Sequence, residues 1–232
     1  MRTLVVAALM TTATQVAQTT PTAALLTPTI QPGARHVLSC TLSFVYDGLD
    51  AQAGRVFIGT AAHCVTQVGQ DVALLASPLE PFGDVAVIGA FLDAATDWAL
   101  IEVRPEFVSR VSPALVNHPQ YPTGSTTSDG TSAGDLVQLN DLLFIPRQVA
   151  LSYDDAEIYR VTGTLTSPPS VVPSDSGGPL VHVPSGAALG IVSQGLNCAL
   201  PALVCEEYQG PTVQGIMAKA AAAGFPVTLR TV

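Results

Sequence analysis

The chain has 232 residues, 48% of them hydrophobic and only 12% charged, and its 18 acids against 9 bases leave a formal net charge of −9. This length supports one sizeable core or two small ones. The acidic balance, with no basic cluster, excludes nucleic acid as a partner, and no apolar stretch is long enough to span a membrane as a helix. Residues 1–25 read as an export leader: Arg2 starts it, residues 4–10 form a short apolar run, and cleavage positions lie near Ala17 and Ala24. Residues 26–35 are proline-rich and extended. Strands are then expected at 36–46 and 55–58, joined by a turn carrying Asp47-Gly48, and at 72–75, 85–91 and 98–103. Residues 117–134, rich in Pro, Gly, Ser and Thr, read as a linker loop. A second set of strands follows at 136–139, 147–152, 159–164, 180–183 and 188–193. Residues 215–224 form a terminal helix, alanine-rich and stopped at Gly224-Phe225-Pro226. Two runs of short strands joined by a loop suggest two small β-barrels, the first over 36–116 and the second over 135–214.

Four cysteines, Cys40, Cys64, Cys198 and Cys205, lack the CxxC spacing of a metal site. An even number behind an export leader points to disulfides, with three pairings open. The protein is read as secreted and monomeric.

The chemistry centres on Pro173-Ser174-Asp175-Ser176-Gly177-Gly178-Pro179-Leu180. A serine between an acid and two glycines is a side chain carried on a tight turn. Serine alone is a poor nucleophile and needs a base, which in turn needs an acid to orient it. Of the four histidines, His63 stands among small residues beside Cys64, whereas His36, His118 and His182 read as surface or satisfied core side chains. Asp97 opens the apolar run Trp98-Ala99-Leu100-Ile101 and is the candidate acid. Asp93, four residues earlier, reads as an exposed turn residue.

Taken together, Thr60-Ala61-Ala62-His63-Cys64, Asp97-Trp98-Ala99-Leu100-Ile101 and Ser174-Asp175-Ser176-Gly177-Gly178-Pro179-Leu180 resemble the three signatures of trypsin/chymotrypsin-like serine proteases, in the same order. Gly190-Ile191-Val192-Ser193-Gln194-Gly195 resembles the family strand that pairs with substrate. Length and the terminal helix are closest in style to the secreted bacterial members. The resemblance spans about residues 36–224. It implies an all-β fold of two packed six-stranded antiparallel β-barrels with a short C-terminal α-helix. It implies His63, Asp97 and Ser176 as the catalytic residues, the backbone N–H groups of Ser174 and Ser176 as the oxyanion hole, and a Cys40–Cys64 disulfide. Substrates would be proteins or peptides. No metal and no cofactor are expected, because this chemistry needs none.

Four positions depart from the family pattern. Ser174 stands where glycine is usual, and a non-glycine residue at positive φ there would carry about 1–3 kcal/mol of strain. No basic junction releases an apolar N-terminus to pair with Asp175, so an internal partner is expected, with Arg147 and Arg160 as candidates. The segment before the nucleophile holds no cysteine, so Cys198 is expected to close a local loop with Cys205. Ser170, at the pocket base, is not an acid; with Ser193, Gly195 and Thr212 on the walls, the pocket suits a small or apolar side chain rather than Lys or Arg. Two other functions stand beside the endopeptidase: a feeble or inactive homologue that binds through the same cleft, and an esterase using the same triad. An α/β-hydrolase esterase would need a G-x-S-x-G elbow and the order serine, acid, histidine, both absent here.

Overall fold

The computed structural model describes residues 27–91, 93–126, 130–132, 134–140, 146–152, 158–162, 173–199 and 204–232. In chain order the strands are β1 (Val45–Gly48), β2 (Val56–Thr60), β3 (Asp71–Ala73), β4 (Pro81–Ile88), β5 (Ala99–Val103), β6 (Leu136–Asn140), β7 (Pro146–Ser152), β8 (Ile158–Thr162), β9 (Pro179–His182), β10 (Ala187–Ile191), β11 (Gln194–Ala199) and β12 (Val204–Pro211). The helix α1 (Val213–Ala222) and the strand β13 (Val227–Leu229) complete the chain. The strands form two antiparallel sheets, one in the order β13-β1-β2-β5-β4-β3 and one in the order β10-β9-β6-β7-β8-β12-β11.

The all-β expectation with a terminal helix therefore holds, while the two six-stranded barrels do not appear in that form. Among the described residues the sheets are open, with six and seven strands. Two additions raise the five strands read in each half of the sequence to these numbers. β13 follows the helix and joins the first sheet at β1, pairing Leu229 with Tyr46. β11 and β12 form a hairpin that extends the second sheet from β8, with Cys198 opposite Cys205. Neither element shows a clean period-two apolar pattern in sequence, so neither was expected as a strand. The first expected strand, 36–46, is shorter than read: the regular ladder starts at Val45, preceded by an irregular pairing in which the Ser43 N–H donates to Gly59 O and the Gly59 N–H to Phe44 O, and by isolated bridges of Arg35 with Thr41 and His36 with Leu74.

Alternation is clearest in β8, where Tyr159 and Val161 point inward and Arg160 outward. β2, β9 and β10 are buried along their whole length. Each half has its own core. Leu42, Ile58, Phe82 and Ile101 centre the first, and Leu139, Tyr159, Leu180 and Tyr208 the second. A third cluster joins the halves: Phe44, Phe57, Trp98 and Leu100 pack with Val181, Ile191, Val213 and Ile216. The helix contributes Val213, Ile216 and Ala220 to this shared core, and its N-terminus is capped by the Thr212 hydroxyl, which accepts from the Gly215 N–H at 3.0 Å. Gly224, at φ +86°, ends the helix where the sequence places its stop. Both disulfides form as expected, Cys40–Cys64 and Cys198–Cys205. Among the described residues no helix is long and apolar enough to cross a membrane.

Candidate active site

His63 sits in the 3₁₀ turn Ala62–Cys64 that leaves the end of β2. Asp97 lies just before β5, the strand hydrogen-bonded to β2, and the register Thr60↔Ala99 brings the two ends side by side. The result is a two-point clamp. The His63 backbone N–H donates to Asp97 Oδ1 at 3.0 Å, and His63 Nδ1 lies 2.8 Å from Oδ2. Asp97 is fully buried, whereas the His63 side chain keeps 27% of its surface open. A buried carboxylate must be paired or hydrogen-bonded, and a third donor completes the set: Ser193 Oγ lies 2.5 Å from the same Oδ2. Asp93, the competing acid, is instead spent on its own turn, where its Oδ1 accepts from the Thr96 N–H and hydroxyl, each at 3.0 Å.

Ser176 follows the 3₁₀ turn Pro173–Asp175 and is almost covered. Its carbonyl accepts from the Thr41 N–H at 2.9 Å, and the Thr41 hydroxyl donates to the Ser174 carbonyl at 2.8 Å. On the other side, the Gly177 N–H donates to Val192 O at 2.7 Å. Gly177 has φ +82°, and a Cβ there would meet Thr41 O and Thr60 Oγ1 at 2.4 Å. Only glycine lets the nucleophile turn press this closely on the segment leading to His63. Cys64 Sγ lies 3.9 Å from the Ser176 carbonyl oxygen, so the residue next to His63 touches the backbone of Ser176. The hydrogen bonds among the described residues include none between the Ser176 hydroxyl and the His63 ring, as is common in ligand-free sites where such bonds tighten only on binding.

Ser174 does not take positive φ. It lies within the 3₁₀ turn Pro173–Asp175. Left-handed backbone strain at this residue is therefore absent. Asp175 is fully buried. Burial pulls the Arg35 guanidinium below its ordinary range, and the charge of Asp175 acts against that shift. Arg35, from the N-terminal segment, is thus within electrostatic reach of Asp175, which the sequence did not reveal. Of the two arginines named from sequence, Arg160 reaches Gln209 Oε1 at 3.2 Å, and Arg147 lies on β7 opposite Leu139.

The pocket residues divide. Ser193, expected on a wall, has its hydroxyl committed to Asp97. Thr212, also expected on a wall, is fully buried and caps α1. Gly195 is exposed on β11, and a Cβ there would lie 2.4 Å from Cys205 Sγ, so the second disulfide packs directly under this strand. Ser170 lies outside the described residues. Two residues escaped notice in the sequence. Phe91 leaves the end of β4 at φ +50°, remains half exposed, and sets its ring against His63 with centroids 5.6 Å apart. Tyr159 donates its buried hydroxyl to Ile191 O at 2.6 Å, bracing the strand that leads to Ser193. Its burial pushes its pKa well up, so it stays protonated.

His36 is buried beside the first disulfide, with its nitrogen within 4.8 Å of both sulfurs. Those sulfurs are bonded to each other and offer no thiolate to a metal. A hollow of about 600 Å³ is lined by Pro28, Arg35, Leu74, Leu75 and Val116, and none of His63, Asp97 and Ser176 borders it.

The model of the family described as Trypsin matches residues 52–209, more than half of the chain. The chain belongs to the trypsin family. As a member of it the protein is a serine-type endopeptidase, and proteins or peptides are its substrates. Among solved structures it is similar to Thermobifida fusca Protease A, at 18% identity over 88% of this chain and 99% of that one, with a TM-score of 0.62. It is also similar to a Cellulomonas bogoriensis chymotrypsin, at 17% identity over 88% and 100%, with a TM-score of 0.60. A glutamic acid specific serine protease aligns at 15% identity over 87% and 100%, with a TM-score of 0.62. At these identities the likeness is one of fold. No curated protein matches the sequence at a significant level.

Proposed function

We propose that this trypsin-family chain is a secreted endopeptidase in which Ser176 is the nucleophile, His63 the base and Asp97 the orienting acid. The observation that carries the reading is the clamp of His63 on buried Asp97, with Nδ1 held at 2.8 Å. Ser176 Oγ attacks the scissile carbonyl while its proton passes to His63 Nε2. Asp97 keeps the proton on Nδ1 and stabilises the cation that forms. Collapse of the tetrahedral intermediate returns the proton to the leaving amine and leaves an acyl-enzyme, which water then hydrolyses by the same route.

The oxyanion would be held by the N–H groups of Ser174 and Ser176, one such donor being worth about 2.7–4 kcal/mol. With Ser174 in a 3₁₀ turn, the hole has to be completed as substrate binds. Gly195 on β11 offers backbone to pair with the substrate, and Phe91 forms an apolar rim over His63. The absence of an acid at Ser170 argues for a small or apolar specificity side chain. Residues 1–25 act as an export leader, in keeping with the two disulfides. The two sheets would curl into the barrels of residues 36–116 and 135–214, joined by the 117–134 linker and followed by the helix at 215–224, in a monomer.

Ser174, standing where the family has glycine, favours one second reading, an inactive or weakly active homologue that uses the cleft for protein binding. Treating the mature protein with a fluorophosphonate separates the two. An adduct on Ser176 that disappears in His63→Ala supports the endopeptidase; an unmodified Ser176 in folded protein supports the binding reading.

A further inference from the structure

At the opposite end of β9 from Ser176, three side chains repeat the hydrogen-bond order of acid, imidazole and hydroxyl. His182, the last residue of β9, is buried. Its Nδ1 lies 2.7 Å from Ser185 Oγ, and its Nε2 lies 3.0 Å from Asp135 Oδ2. The sheet builds this arrangement. Val137 of β6 pairs with His182, which sets Asp135, just ahead of β6, beside the imidazole. Ser185 occupies the exposed turn between β9 and β10. Nothing in the Ser176 site uses these groups.

The carboxylate accepts a hydrogen bond from the Nε2–H, which leaves Nδ1 as the acceptor for the Ser185 hydroxyl. Asp135 Oδ2 also accepts from the Ser132 N–H at 2.6 Å, so the acid is held in place. The Ala187 N–H, 3.3 Å from Ser185 Oγ, favours negative charge on that oxygen. The turn itself is tied down: the Gly186 N–H donates to His182 O at 2.8 Å, and the Thr123 hydroxyl donates to Ser185 O at 3.0 Å. The serine is therefore exposed, positioned and already bonded to a base.

We propose that Ser185 is a second nucleophilic serine, a modification site that accepts an acyl or phosphonyl group from an activated donor, with His182 as base and Asp135 as the group that orients it. With a fluorophosphonate, Ser185 Oγ forms a bond to phosphorus and fluoride departs with its electron pair. The serine proton passes to His182 Nδ1 and then to water. With an activated ester, Oγ bonds to the carbonyl carbon and the phenolate leaves. The Ala187 N–H is spent on Oγ itself and not on the oxyanion of an acyl group, so the product is a lasting adduct at one equivalent rather than a turnover.

The test uses the full protein carrying Ser176→Ala, treated with a fluorophosphonate and separately with p-nitrophenyl acetate, then digested and mapped. The expected result is a single adduct on Ser185, formed on the order of a hundredfold faster than on other exposed serines. His182→Gln in the same background is expected to bring that rate down to the level of the other serines. A group that only latches the hairpin would change stability without conferring this reactivity. Failure to label Ser185 in the Ser176→Ala protein overturns the proposal, and so does labelling that His182→Gln leaves unchanged. Should His182→Gln not fold, Asp135→Asn takes its place: a labelling rate that does not fall overturns the proposal equally.

Discussion

The hydroxyl of Ser193 lies 2.5 Å from Asp97 Oδ2, the same oxygen that faces His63 Nδ1 at 2.8 Å. The contact joins the two halves of the molecule across 96 residues of sequence. It gives Ser193 a positioning role toward the acid. A hydrogen bond to a buried charge is worth about 1.5–3 kcal/mol. Ser193→Ala is therefore expected to lower kcat about tenfold or more on a peptide substrate while KM stays nearly constant. A loss confined to KM would return Ser193 to the pocket wall.

Ser174 supplies the second prediction. It lies in the 3₁₀ turn Pro173–Asp175, and the prediction is that its N–H faces an oxyanion only once this turn rearranges. Glycine tolerates both conformations at little steric cost. Ser174→Gly is expected to raise kcat roughly tenfold, which corresponds to about 1.4 kcal/mol of the barrier. Fluorophosphonate labelling of Ser176 should accelerate in parallel. A variant no faster than the parent would mean that the hole is already open in the resting protein.

Phe91 combines strain with exposure. An aromatic residue at φ +50° is an outlier that persists only where surrounding structure or function holds it. Phe91→Gly should relieve that strain and raise Tm, while kcat/KM falls about tenfold for peptides that lay an apolar side chain over His63. Peptides with glycine at that place should be little affected. Equal losses on both kinds of peptide would remove Phe91 from substrate recognition.

His36 makes stability depend on pH. Burial, with a smaller contribution from Arg35, pushes its pKa down from 6.5 to about 4. As pH falls, the unfolded chain takes up the proton first, so the contribution of neutral His36 is complete above pH 6.5 and is lost progressively toward pH 4. The full loss is about 3 kcal/mol. Denaturant unfolding at pH 7.5 and 4.5 should show a smaller drop for His36→Gln than for the parent. Equal drops would assign the acid sensitivity to other groups.

The sequence by itself determined what local chemistry can specify. The His63 and Asp97 segments carry their own turns and apolar flanks, and each could be recognised within six residues of chain. Gly177 marked a turn that no other residue fits, and the helix stop at Gly224 followed from the same backbone property. The antiparallel strands with strong apolar content, such as β2, β5 and β9, were legible because burial leaves its pattern in the residues themselves. Tertiary structure decided the rest, because those choices depend on register and long-range packing. Which group Ser193 would face depends on the half it packs against, and the reach of Arg35 toward Asp175 depends on how the N-terminal segment crosses the nucleophile turn. β13 pairs with β1 at the edge to which α1, packed on the shared core, delivers the chain. The acid, imidazole and hydroxyl of Asp135, His182 and Ser185 meet through strand pairing that no local motif announces.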